Sequence, residues 1–370
     1  MGKCQICNRQ HPLISSQLGV CLNCIRTKPE KALQITDTVH AKTRTQFNLP
    51  PKPPKDDEGL YCGLCANNCK IGKSKKGYCG LVENRNGKIV RNGGTPEKGV
   101  LHWYYDNLPT NCVAWWFCPG CTGAGYPKYA YKSHAEIGYS NLAVFYGSCS
   151  LDCLFCQNWH YRKHATELQP TMSTQDLADK VDKHVSCICY FGGDPSTQMP
   201  HALKTSQLVL QKTGEEKRIL RICWETNGYM KPELANQAAE LSLKSGGNMK
   251  FDLKVWNENL NKALCSVSNR PTFECFKEIG EKHYHKRSEL PLLTASTLLI
   301  PGYVDAEEVE NIAKFIAEID PEIPYTLLAF YPQYVMNDLP ITSRKQAEQC
   351  LETAKRYLIS VRIGNKHLLS

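Results

Sequence analysis

From residue 140 onward, short apolar runs rich in β-branched and aromatic residues alternate with helical patterns, and this alternation limits the fold more than any other feature. The runs are Leu142–Tyr146, Cys187–Phe191, Ile219–Trp224, Met249–Leu253, Ser296–Ile300 and Tyr325–Phe330. Around them the 3.6-residue period predicts helices over Thr174–His184, His201–Gln211, Lys231–Lys244, Pro271–Lys282, Ala306–Ile319 and Arg344–Tyr357. Such alternation indicates parallel strands joined by helical crossovers. Six strands are too few to close an eight-stranded barrel, so an α/β partial barrel of the (β/α)6 kind is expected. Functional loops then belong at the C-terminal strand ends.

The loop after the first run carries Cys149, Cys153 and Cys156 at the spacing C-x3-C-x2-C. Three thiolates on one short loop can hold three corners of a 4Fe–4S cluster and leave the fourth iron open for a ligand. Phe155 adds a face on which a planar ring could lie. The second run ends in Gly192-Gly193-Asp194, where two glycines leave the backbone open to close approach. The third ends in Glu225-Thr226-Asn227-Gly228 and the fourth in Asp252-Leu253-Lys254. Each alone reads as a cap or turn signal. On successive strand ends beside a three-thiolate loop, they read better as one site.

Cysteine usage divides the rest of the chain. Twenty cysteines are present, and 14 of them precede residue 157. No apolar run approaches the ~20 residues of a membrane span, and the N-terminus lacks the apolar core of a signal peptide. A cytoplasmic location is therefore expected, where paired cysteines bind metals more often than they form disulfides. Residues 1–26 form a knuckle in which Cys4, Cys7, Cys21 and Cys24 make a structural site for zinc or a single iron. Residues 27–58, with Pro50, Pro51, Pro53 and Pro54, read as a linker. Residues 59–135 are cysteine-rich again, with Cys62, Cys65, Cys69 and Cys79, then Cys112, Cys118 and Cys121. Either a second metal site takes four of these thiols or some are free, and Cys118 with Cys121 could form a redox dithiol. Residues 136–370 make up the barrel. Cys187, Cys189, Cys223, Cys265, Cys275 and Cys350 read as small buried hydrophobes. The net charge of +9 comes with scattered lysines, so a solvated basic surface outranks RNA contact.

The three-cysteine loop, the G-G-D run, Thr226-Asn227-Gly228 and Asp252-Leu253-Lys254 together resemble the radical S-adenosylmethionine (SAM) superfamily. Within it the likeness is to pyruvate formate-lyase activating enzymes and, more narrowly, to AmmeMemoRadiSam-type enzymes. Cys156-Gln157-Asn158-Trp159, the Cys62–Cys79 segment, Leu299-Ile300-Pro301-Gly302-Tyr303 and Phe330-Tyr331-Pro332 carry that narrower likeness. It spans roughly residues 60–365 and leaves out the knuckle.

The resemblance implies a 4Fe–4S cluster on Cys149, Cys153 and Cys156, with SAM chelated at the open iron. Reductive cleavage would give a 5′-deoxyadenosyl radical, which takes hydrogen from a substrate, chemistry that belongs under anaerobic conditions. Gly192, Gly193 and Asp194 would then position the methionyl amino group, and Phe155 would lie near the adenine. Glu225, Asn227, Asp252 and Lys254 would bind the other polar parts, with Lys254 as the carboxylate partner. A protein or peptide substrate and a reductant such as flavodoxin or ferredoxin are implied. Methyl transfer to a protein residue using cobalamin, or RNA modification, are the alternatives, and a metal scaffold without catalysis is the non-enzymatic one. Three departures from the activases stand out. The ferredoxin-like insert after the loop is absent, Asp194 replaces glutamate, and Tyr331-Pro332-Gln333-Tyr334 stands where some activases carry a histidine.

Overall fold

The computed structural model describes residues 1–370. One nine-stranded sheet organises it. In chain order its strands are β1 (Gly99–Asn107), β2 (Ser140–Tyr146), β3 (Thr171–Met172), β4 (Val185–Gly192), β5 (Arg221–Thr226), β6 (Met249–Asp252), β7 (Leu293–Leu299), β8 (Tyr325–Ala329) and β9 (Val361–Gly364). The spatial order is β9-β8-β7-β6-β5-β4-β2-β1-β3. Strands β2 and β4 to β9 run parallel, whereas β1 and β3 join one edge antiparallel. The two edges do not pair, so the barrel is open.

The principal helices are α1 (Leu22–Thr27), α2 (Pro29–Thr45), α3 (Met199–Glu215), α4 (Pro232–Ser245), α5 (Glu258–Cys265), α6 (Arg270–His283), α7 (Ala306–Ile319) and α8 (Arg344–Lys355). Local chemistry sets their ends. Asp305 caps α7 by accepting from the Glu308 amide at 3.1 Å, a bond worth about 1 kcal/mol. Val309, Ile312, Ala313 and Ile316 follow at helical spacing and are buried. Helix α4 starts on Pro232 and stops at Gly246, whose φ of 81° is the left-handed cap that glycine adopts without strain.

The two faces of the sheet differ in kind. Ile188, Tyr190, Ile222, Trp224 and Phe251 are fully buried on the helix-covered face, where Tyr190 stacks on Trp224 with centroids 4.7 Å apart. The alternate residues on the same strands, among them Cys189, Cys223, Glu225, Lys250 and Asp252, point into the bore. The polar side of the strands is therefore the inside.

Three expectations need correction. The six expected strands are present, but β9 adds a seventh parallel one and β1 and β3 extend the edge. Strand β1 lies within the segment set apart as cysteine-rich, so residues 99–107 belong to the barrel sheet. Residues 27–58 are not a plain linker, because α2 occupies 29–45 and packs on α5. The face of α2 that is buried carries Thr36, His40, Thr43 and Arg44; Thr36 bonds back to the Leu33 carbonyl, whereas His40 and Thr43 reach Asp152 and Arg44 reaches the Pro50 and Tyr78 carbonyls.

Candidate active site

The loop after β2 is held from several sides before any ligand is considered. The Ser148 hydroxyl donates to the Cys79 carbonyl at 2.9 Å, and Ser150 meets Ser196 at 3.0 Å. The amides of Asp152 and Leu154 donate to the Cys265 and Leu264 carbonyls at the end of α5. Tyr161 donates to the Leu151 carbonyl at 2.9 Å. Gly193 donates its amide to the Tyr146 carbonyl at 2.8 Å, and Asp194 donates to that of Ser148. A Cβ on Gly193 would stand 2.2 Å from the Ser148 carbonyl oxygen, so only glycine permits this approach.

Cys149, Cys153 and Cys156 line one cavity of about 170 Å³. Burial pushes the Cys149 thiol well up and that of Cys156 up to about 11. Cys153 differs, because interaction with the Cys265 thiol holds it down despite burial. Cys265 is fully buried in the core, as expected of a small hydrophobe. Asn227 Nδ2 lies 3.5 Å from Cys149 Sγ.

Beneath the loop, Asp152 is fully buried. Its carboxylate accepts from Arg162 at 2.5 and 3.1 Å and from Thr43 at 3.0 Å, and it lies 2.8 Å from His40 Nδ1. Burial alone would favour the protonated acid, but Arg162 and His40 hold it well below the usual carboxylate range.

The strand ends meet this cavity unevenly. Phe155, Gly192, Gly193, Asp194, Asn227, Asp252 and Lys254 all line it. Lys254 Nζ sits 3.1 Å from Asp252 and 5.8 Å above the Phe155 ring. The Asp194 carboxylate is already saturated by the amides of Ser196 and Asn227 and the Thr226 hydroxyl, at 2.6–3.2 Å. These bonds tie the end of β4 to that of β5. Glu225 is not in this cavity. It faces a second one, 3.5 Å from Lys250. Ser296, Leu298 and Leu328 line the first cavity without having been expected, and Ser296 donates to Asp252 at 2.7 Å. Only alternation along β7 and β8 could have pointed to them.

Upstream, the sulfurs of Cys4, Cys7, Cys21 and Cys24 all lie within 4.8 Å of one another, a group that could hold a metal ion. The knuckle docks on the barrel: Tyr303 donates to the Val20 carbonyl at 2.9 Å, and Arg26 pairs with Asp305 and Glu308 at 2.9 and 2.7 Å. Cys62, Cys65, Cys69 and Cys79 do not close to that spacing. They lie beside the cluster loop, with Asn67 donating to the Ser150 carbonyl at 2.7 Å.

Residues 143–316 match the family model of the radical SAM superfamily. They form a radical SAM domain. An uncharacterized protein of Methanocaldococcus jannaschii is 23% identical over 327 residues, covering 84% of this chain and 82% of its own. A second protein of that organism, whose given name is that of a glycyl-radical enzyme activating enzyme, is 25% identical over 236 residues, covering 62% and 82%. Among solved structures, a domain of a pyruvate-formate lyase-activating enzyme from Bacteroides vulgatus matches with a TM-score of 0.37 at 19% identity, over 48% of this chain and 98% of that one. Streptococcus suis SuiB bound to its precursor peptide SuiA matches with a TM-score of 0.45 at 16% identity, over 60% of this chain and 47% of that one. The radical SAM domain contains the three-thiol loop, both glycines and Lys254, all within residues 143–316. No helix of the chain is long and apolar enough to cross a membrane.

Proposed function

We propose that the radical SAM domain abstracts hydrogen from a residue of a protein or peptide, as an activase or a post-translational modifier. The observation that carries this reading is the single cavity shared by Cys149, Cys153, Cys156, the Gly192-Gly193 edge and the Lys254–Asp252 pair. These residues fit the family's cofactors. Three buried thiols leave one iron of a 4Fe–4S cluster open, and an ammonium beside a carboxylate matches a zwitterionic amino-acid tail. A reduced cluster with SAM would supply a 5′-deoxyadenosyl radical.

The chain's own residues do the rest. Cys149, Cys153 and Cys156 would give up their protons to hold iron, and Lys254 and Arg162 stand where they would offset the charge that develops. Lys254 would take the carboxylate of the methionyl tail. The backbone at Gly192 and Gly193 would receive its amino group, and Phe155 would cover the planar ring. Asp194 positions Asn227 through the amide bond at 2.6 Å. Leu151, Leu298 and Leu328 supply an apolar stretch of the cavity wall.

A protein substrate is favoured by the relative named for glycyl-radical enzyme activation. The knuckle, with zinc or iron on its four thiolates, adds a docked module beside the barrel. A small reductant such as flavodoxin or ferredoxin would deliver the electron, in the cytoplasm. Anaerobic reconstitution with SAM and dithionite tests the reading. Wild type should release 5′-deoxyadenosine and Cys153→Ala should release none; an inactive wild type or an active variant would reject it.

A further inference from the structure

The bore holds a second group of thiols that the proposed reaction does not use. Cys187 and Cys189 lie two apart on β4 and face the same way, and Cys223 on β5 is the register partner of Cys189. Cys112 and Cys118 arrive from the segment between β1 and β2. All five line a cavity of about 130 Å³ together with Lys250. Cys187 and Cys189 are buried as expected, but with Cys223 they line a chamber of mixed polarity that also holds Lys250, Glu225 and Asp106.

The chemistry of that chamber asks for a ligand. Lys250 is 3% exposed, and its ammonium lies 3.3 Å from Cys189 Sγ and 3.5 Å from Glu225. Glu225 is the only carboxylate within ion-pair reach of that cation, and the sulfur it donates to is a thiol. Thiolates held by iron would supply the missing negative charge, and a lysine donating to a ligand sulfur is a usual means of stabilising such a cluster.

Spacing decides the type of metal. A tetrahedral zinc site, with Zn–S near 2.3 Å, brings its sulfurs to about 3.8 Å of one another. The knuckle's four thiols approach that, all within 4.8 Å, whereas neither the Cys149, Cys153 and Cys156 set nor the five bore thiols do. A multinuclear cluster spreads its ligands over several irons and suits the wider set.

We infer that the bore binds a second iron–sulfur cluster through thiolates drawn from Cys112, Cys118, Cys187, Cys189 and Cys223, with Lys250 donating to Cys189. Glu225 and Lys250 each precede by two residues a group of the first cavity, Asn227 and Asp252. The second site thus lies roughly 7 Å deeper along the same strands. It stands on its own thiols and does not depend on the proposed reaction.

The test uses the full chain, reconstituted anaerobically with iron and sulfide. Cys153→Ala should keep a reducible cluster signal in electron paramagnetic resonance. Adding Cys189→Ser and Cys223→Ser should remove that signal and lower the iron content by about two to four per chain. In the otherwise wild-type protein, the same serine pair should leave 5′-deoxyadenosine release in place, which separates this site from the first. Cys350→Ser, another buried cysteine, serves as the control for a general loss of fold. Should the serine pair fail to fold, Lys250→Met keeps every thiol and should shift the midpoint potential of the second signal to more negative values. Iron content and spectra unchanged by the serine pair, an equal loss in Cys350→Ser, or a potential unmoved by Lys250→Met would overturn the inference.

Discussion

His40 and Asp152 meet at 2.8 Å, joining α2 to the middle of the three-cysteine loop, 112 residues away in sequence. The same carboxylate pairs with Arg162, and both groups are fully buried. Asp152→Ala leaves the guanidinium of Arg162 without its partner, which should cost about 3–5 kcal/mol. His40→Ala should cost less, because Arg162 and Thr43 stay in place. Urea midpoints with iron content measured alongside would rank the two; equal, small losses would mean that the network does not hold the loop.

Lys254 is the cation nearest the cavity's carboxylate, Asp252. Lys254→Met should weaken SAM binding by about ten- to a hundredfold, the effect of one hydrogen bond to a charged group worth about 1.5–3 kcal/mol. Iron content should stay at the wild-type value. Isothermal titration of SAM against the reconstituted protein reads this directly.

Gly193→Ala should loosen the loop without touching any thiol. Its new methyl would overlap the Ser148 carbonyl at 2.2 Å, so the end of β4 must retreat from the loop. A loss of about 1–3 kcal/mol and a weaker hold on iron are expected. A variant as stable as wild type and with full iron would show that the approach is not required.

His201 sets a window of acid sensitivity. It is fully buried between Tyr146 and the Met172 carbonyl, and burial lowers its pKa from 6.5 to about 4. The unfolded chain takes up the proton first as pH falls. Stability from this group is therefore complete above about pH 6.5 and is lost between there and about pH 4, roughly 3 kcal/mol in all. Urea midpoints of the metal-free protein across that range should fall more steeply in wild type than in His201→Gln.

The barrel was legible because its outer strand face and its helices follow apolar periods, and α7 begins and ends where its pattern does. Helix α2 was not legible for a physical reason. Its buried side carries Thr36, His40, Thr43 and Arg44, and the partners that make burial of His40, Thr43 and Arg44 tolerable, Asp152 and the Tyr78 carbonyl among them, lie outside the helix. The bore thiols were hidden differently. Cys187-Ile188-Cys189 and Cys223 look like ordinary apolar strand residues until register sets Cys189 beside Cys223. Glu225 was misplaced because Glu225 and Asn227, two apart and on one face, fall in different cavities.

The junction of α1 and α2 carries a last consequence. Only Lys28 separates the helix bearing Cys24 from the helix bearing His40. The thiolate knuckle, held against Tyr303 and Asp305, therefore anchors the lever whose far end rests on Asp152. A metal captured by those first residues would also brace the cradle of Cys149, Cys153 and Cys156 some 130 residues later.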